Sequence, residues 1–248
     1  MTDEPPPTTS FSLPGWPRER PRAAAGRDPL SVDQIVEAAI RVIDAEGLDA
    51  LSMRRLGAEL GAGATSLYWH VKDKDELLDL VVDAVIGMAP FPPDEGTWRD
   101  RLVAFAMAIR AVLLEHRNAV PLFGSRATLG PAALTFLDWI IGVLDEAGFD
   151  DQTGAMAYQA YVNHVVGYLV LEVTQASTFA ETIASGVSQE DIEREFVALM
   201  EALPADRFPN VVAHARGLLG SDDEARFRFG LERLLDGMER YAELHPAG

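Results

Sequence analysis

The chain is 248 residues long, 48% hydrophobic and 24% charged, with no cysteine. That composition describes a globular protein of one sizeable or two small domains, and it excludes disulfides, thiolate metal sites, iron–sulfur clusters and cysteine nucleophiles. With 39 acidic against 21 basic residues and a net charge of −18, a surface that coats nucleic acid or anionic membrane over its whole extent is also excluded, so any nucleic-acid contact has to be local.

Residues 1–26 carry Pro5, Pro6, Pro7, Pro14, Pro17 and Pro21 among few spaced apolar side chains. Such a segment cannot bury enough surface to offset the entropy of ordering, which predicts a disordered tail. It lacks the apolar run of about 7–15 residues that marks a secretory signal, so a cytoplasmic location is expected. Arg18, Arg20, Arg22 and Arg27 outweigh Glu19, a basic stretch that reads either as a solubilising tail or as a DNA-seeking arm.

From Ser31 the apolar residues Ile35, Val36, Ala39, Ile40, Val42 and Ile43 recur at helical spacing, and Ser31 with Gln34 forms a capping-box pattern, predicting a helix over Ser31–Glu46. Gly47 stops it. Leu51–Leu60 resumes the pattern, Gly61 and Gly63 break it, and a short run Ala64–Val71 follows. Asp73 then caps an amphipathic helix that ends near Pro90.

Further helices are expected over Thr97–Arg117, Pro131–Ala147, Asp151–Thr178, Gln189–Glu201, Pro209–Leu219 and Asp222–Leu244. No sustained period-two alternation occurs, so the fold class is all-α. The stretch from Gln152 to Leu171 has no charged residue and approaches bilayer-spanning length. Gln152, Gln159, Asn163 and His164 interrupt it, which favours a buried helix of a bundle over a membrane partner.

The segment LSMRRLGAELGAGATSLYWHVKDKDELLDLV, Leu51 to Val81, has the form of a helix-turn-helix continued into a scaffold helix. In that form a first short helix braces the backbone while a second offers side chains to the major groove. Lys72 and Lys74 are the only lysines in the chain, and both fall where the next helix starts. A cation there opposes the helix dipole, and a phosphate strand would compensate it.

At Ser66-Leu67-Tyr68-Trp69-His70-Val71-Lys72-Asp73-Lys74 the sequence resembles the tetracycline-repressor (TetR) family of bacterial transcription regulators. The resemblance covers about Leu30 to Met88. After the tail over 1–26 that composition predicts, it implies a helix-turn-helix DNA-binding domain over 27–75 and an effector-binding and dimerisation domain over 76–248. Carried over by position, it makes Arg54, Thr65 and Ser66 base readers, Tyr68 and His70 phosphate contacts, and Trp69 a group packed beside the bases, with Lys72 and Lys74 on phosphate. Arg55 reads equally as a surface charge, Tyr68 and Trp69 equally as a small aromatic core, and Leu67 and Val71 as core. Residues 1–75 carry 9 basic against 12 acidic side chains and residues 76–248 carry 12 against 27, so binding is expected to rest on few contacts and to be salt-sensitive.

The resemblance further implies a homodimer on a palindromic double-stranded DNA operator, most simply as a repressor released by a small-molecule effector. The Asp222–Leu244 stretch places Phe227, Leu231, Leu234, Leu235, Met238 and Tyr241 on one side, while Asp151–Thr178 is apolar nearly all round, as a helix buried on both faces would be.

Effector-pocket candidates are His164, Tyr168 and Glu172 at i, i+4 and i+8, with Asn163, Tyr161 and His116. Mutual satisfaction of His164 and Glu172, or a place in a dimer interface, is an equal reading. Phe105, Met107, Ile109, Phe123, Phe136, Trp139 and Met156 are candidate apolar walls or plain core. Gly87-Met88-Ala89-Pro90 holds no histidine where metal–tetracycline members of the family have one, so a different, largely apolar effector and no metal or cofactor are expected. No HExxH, GxSxG or phosphate loop supports an enzyme. A helix-turn-helix protein without an effector is the remaining alternative.

Overall fold

A computed structural model describes residues 30–126, 129–184, 186–218 and 222–245. The expected tail over 1–26, the first residues of the expected 27–75 domain and Leu219 lie outside these. Eleven helices follow one another, with no strand among the described residues: α1 Val32–Glu46, α2 Met53–Glu59, α3 Ala64–Leu67, α4 Lys74–Gly87, α5 Trp98–Glu115, α6 Val120–Ser125, α7 Pro131–Glu146, α8 Asp151–Ala184, α9 Gln189–Glu201, α10 Pro209–His214 and α11 Asp223–Leu244. None of the described helices is long and apolar enough to cross a membrane. The chain divides into two compact units, residues 1–94 with 104–143, and residues 95–103 with 144–248.

The first unit is built on α1. Its capping box forms as expected, with the Gln34 amide donating to Ser31 Oγ at 3.1 Å and the Ser31 amide to Gln34 Oε1 at 2.9 Å. Ile35, Ala39, Val42 and Ile43 are buried along one face of α1, with Leu56 of α2, Leu67 of α3 and Leu77, Val81 and Val85 of α4. Each of the larger side chains contributes about 1.5–3 kcal/mol by leaving water. Gly57 lets α2 meet the turn into α3, since a Cβ there would stand 2.7 Å from the Ala62 carbonyl oxygen.

Two bounds in this unit differ from expectation. The run expected to be helical over Ala64–Val71 closes after Leu67 into turns, with the His70 amide on the Leu67 carbonyl at 2.8 Å. Helix α6 occupies a stretch with no expected element. Pro121, a helix breaker in an interior, lies in its first turn, where the missing N–H has no intrahelical partner to lose.

The second unit is dominated by α8 and α11. Ala157, Tyr161, Val165 and Leu169 form one buried stripe on α8, and Phe227, Leu231, Leu235 and Met238 form another on α11. Helix α8 runs six residues beyond the expected Thr178, as no Pro or Gly occurs between Thr178 and Gly186. In the single chain it is not covered on both faces: Met156 and Leu171 remain exposed. Helix α10 ends at His214 rather than Leu219.

Candidate nucleic-acid interface

Helix α3 and the turns after it are held from beneath by Leu67 and Val71, both fully buried. With these two anchors fixed, the intervening side chains have to point outward. Thr65, Ser66, Tyr68 and Trp69 are exposed, Trp69 to 77%, and His70 is half-buried. The small aromatic core that Tyr68 and Trp69 would have made is therefore not formed, whereas Leu67 and Val71 are core as expected.

On α2 the two adjacent arginines separate. Arg54 is exposed and makes no ion pair among the described residues. Arg55 is engaged, with Nη2 on Glu46 Oε1 at 2.5 Å and on Glu59 Oε2 at 2.9 Å, and Nε on Glu46 at 3.0 Å. The hydrogen bonds that Arg55 donates to Glu46 and then Glu59 hold the guanidinium above its ordinary pKa, and the bond donated by Arg55 holds the Glu46 carboxyl below the usual carboxylate value. Arg55 thus ties α2 to the end of α1, and only Arg54 is presented outward.

Asp73 caps α4 by accepting from the Glu76 amide at 2.9 Å, and the Glu76 carboxylate in turn accepts from the Lys72 amide. The backbone bond from Glu76 holds the Asp73 carboxyl below its ordinary range. Lys72 Nζ lies 3.5 Å from Asp73 and remains exposed, a pair that water screens almost completely. Lys74 opens the helix, with Asp75 and Glu76 beside it in the first turn offsetting the unfavourable cation at the positive end of the dipole.

The expected effector residues fall in both units. His116 belongs to the first unit, where its Nδ1 meets Asp44 at 2.8 Å, while Asn118 donates to the Ile43 and Asp44 carbonyls at 3.1 and 3.0 Å. These contacts fasten the end of α1. In the second unit His164 and Tyr168 do share a face, and it is turned to α11: their rings pack around Phe227, His164 Nε2 lies 3.2 Å from the Phe227 carbonyl, and the Tyr168 hydroxyl donates to the Asp223 carbonyl at 3.1 Å. Glu172 is half-buried one turn further on, and Asn163 is exposed, accepting from Gln159 at 2.8 Å. Tyr161 is buried, its hydroxyl on the Leu102 carbonyl at 2.7 Å.

Of the expected apolar walls, Phe105, Phe136 and Trp139 do come together, with ring centroids 4.7–5.1 Å apart. Phe91, which the sequence reading passed over, joins them at 4.8 Å from Phe136 and is 46% exposed. The signal for it in the sequence is an aromatic residue directly before Pro92-Pro93, between two expected helices. Met156 belongs to the second unit and is exposed. Among the described residues no cluster of three or more His, Cys, Asp or Glu side chains is arranged to hold a metal.

Residues 35–81 match the family described as "Bacterial regulatory proteins, tetR family", and residues 89–242 match "Tetracyclin repressor-like, C-terminal domain". The chain is 36% identical over 248 residues to an HTH-type transcriptional regulator of Saccharopolyspora erythraea, covering 98% of this chain and 100% of that one. It is 34% identical to the HTH-type transcriptional repressor DrrR1 of Streptomyces coeruleorubidus, over 90% of this chain and 83% of the other. Among solved structures, ActR of Streptomyces coelicolor without ligand superposes with a TM-score of 0.76 at 32% identity, covering 88% of this chain and 99% of ActR. ActR in complex with actinorhodin superposes at 0.73, over 86% and 96%.

Proposed function

The chain belongs to the TetR family of DNA-binding transcriptional regulators, and from that premise we propose that it is a cytoplasmic repressor that binds a palindromic operator as a homodimer and is released by a small-molecule effector. The observation that carries the DNA reading is the outward row Thr65, Ser66, Tyr68 and Trp69 above the buried pair Leu67 and Val71. Arg54 is the guanidinium left available for a guanine edge. Tyr68, His70, Lys72 and Lys74 meet phosphate, and Trp69 packs beside the bases. Homodimerisation has its support in Met156 and Leu171 on α8 and Phe229, Tyr241 and Leu244 on α11, all exposed apolar side chains on the two longest helices.

The effector is a largely apolar, ring-bearing molecule, in keeping with ActR and its actinorhodin. The ring set of Phe91, Phe105, Phe136 and Trp139 supports this choice better than His164 and Tyr168, whose polar atoms are taken by α11. Release follows when an effector binds better to a dimer whose two heads do not fit the operator; operator affinity then falls by that difference.

Selection of bound duplexes from a random pool at moderate salt tests the proposal. Enrichment of a palindrome with half-sites about one helical turn apart is expected. A pool that remains random would refute the DNA reading.

A further inference from the structure

Helix α4 follows the DNA-reading segment after only Lys72 and Asp73, so its direction sets where that segment points. Asp75, Asp79 and Asp83 occur at i, i+4 and i+8 along α4 and so share one face. At one end of the row Arg126, just past α6, donates through Nη1 to Asp79 Oδ1 at 2.7 Å and to the Asp75 carbonyl at 3.1 Å, and through Nη2 to the Asp75 carboxylate at 2.5 Å. Asp79 and Arg126 are each 20% exposed, so the bridge between them is only partly screened by water, whereas Asp75 is 81% exposed and its pairing is well screened.

At the other end Asp83, only 7% exposed, accepts from the amides of Ala132 at 3.2 Å and Ala133 at 2.9 Å. These are first-turn amides of α7, which begins Gly130-Pro131 and has no side chain of its own at Gly130 to cap them. The cap is supplied from a different helix, about 50 residues away in sequence. Gly130 makes room for it: a Cβ at that position would come within 2.3 Å of the Asp83 carboxyl carbon. A carboxylate buried to this degree holds its place only while both amides face it, so α4 and the start of α7 are bound to move together.

We propose that the Asp75–Asp79–Asp83 row, gripped by Arg126 and by the first turn of α7, is the positioning device that fixes the direction of α4 and hence of the DNA-reading segment. Asp83, Gly130 and Arg126 are its positioning residues, acting on DNA through α4 rather than by contact. This rests on the DNA reading proposed above and adds the residues that set the head's orientation.

The test uses the full-length protein and a duplex recovered by the selection described above. Hydrogen exchange at the Ala132 and Ala133 amides is followed by NMR with and without that duplex. Because coupling is reciprocal, DNA binding at the head has to change protection at these two amides if they help set its direction. The second arm measures duplex affinity of Arg126→Gln and Gly130→Ala, with circular dichroism melts to check folding. A change in protection, with an affinity shift of about five-fold or more in folded variants, is the expected result.

Unchanged protection in the unsubstituted protein overturns the proposal even if both variants unfold, since that arm needs no variant. Altered protection with affinities unchanged in folded variants overturns it as well. Recovery of no duplex removes the DNA reading and this device with it, a result distinct from a bound duplex that leaves Ala132 and Ala133 unaffected.

Discussion

Arg54 and Arg55 are chemically identical neighbours, and the difference between them is made entirely by Glu46 and Glu59, which occupy the second and leave the first exposed. The two substitutions therefore separate. In duplex selection Arg54→Ala is expected to relax preference at one base position in each half-site, Lys74→Ala to weaken all duplexes alike and flatten the salt dependence, and Arg55→Ala to leave base preference unchanged while loosening the hold of α2 on α1. Equal, uniform weakening by Arg54→Ala and Lys74→Ala would make Arg54 a phosphate contact. The family pattern singles out Arg54 and leaves Arg55 open as a surface charge, but what occupies Arg55 is not readable in the sequence, because Glu46 reaches it from nine residues away across a turn. The same limit hid the fate of His116, whose partner Asp44 lies 72 residues earlier.

Elements whose cause is local were readable in detail. The capping box of α1, the Asp73 cap of α4, the bounds of α9 and the Asp222 cap of α11 each follow from a few adjacent residues, and each forms. Features fixed by distant contacts were not: α6 carries a proline where a break is the natural reading, and although α7 starts at Pro131 as expected, its cap by Asp83 comes from a helix about 50 residues earlier. The Asp73 cap makes α4 sensitive to acid. Its carboxyl is held below the ordinary value by the Glu76 amide, so the cap contributes at neutral pH and its contribution is lost as pH falls through that depressed value. Amide exchange across the first turn of α4 is expected to accelerate over that window, and Asp73→Asn, which has no charge to lose, should show a flatter profile. Equal profiles for both proteins would remove the carboxylate from this role.

The all-helical class and the amino-terminal reading head were legible for the molecule as a whole, since periodicity and one short motif carry them. The position of an effector site was not, because core and pocket side chains are the same residue types. The exposed apolar side chains of α8 and α11 lead to a concentration-dependent expectation: Leu171→Glu, at a position 60% exposed in the single chain, should lower the sedimentation coefficient to that of a monomer and weaken palindrome binding more than half-site binding. A variant that sediments unchanged would place the interface elsewhere. Three of the chain's four tryptophans lie among the described residues and give these experiments a built-in optical reporter. Trp69 is largely in water on the proposed DNA-reading surface, Trp139 packs on Phe105 in the same unit, and Trp98 meets the edge of Phe149 in the other. An indole in water emits at longer wavelength than one among rings, so operator binding should quench the red side of the emission band. A ring-bearing effector seated beside Trp139 should quench the blue side, and the two events can be followed in one cuvette without a label.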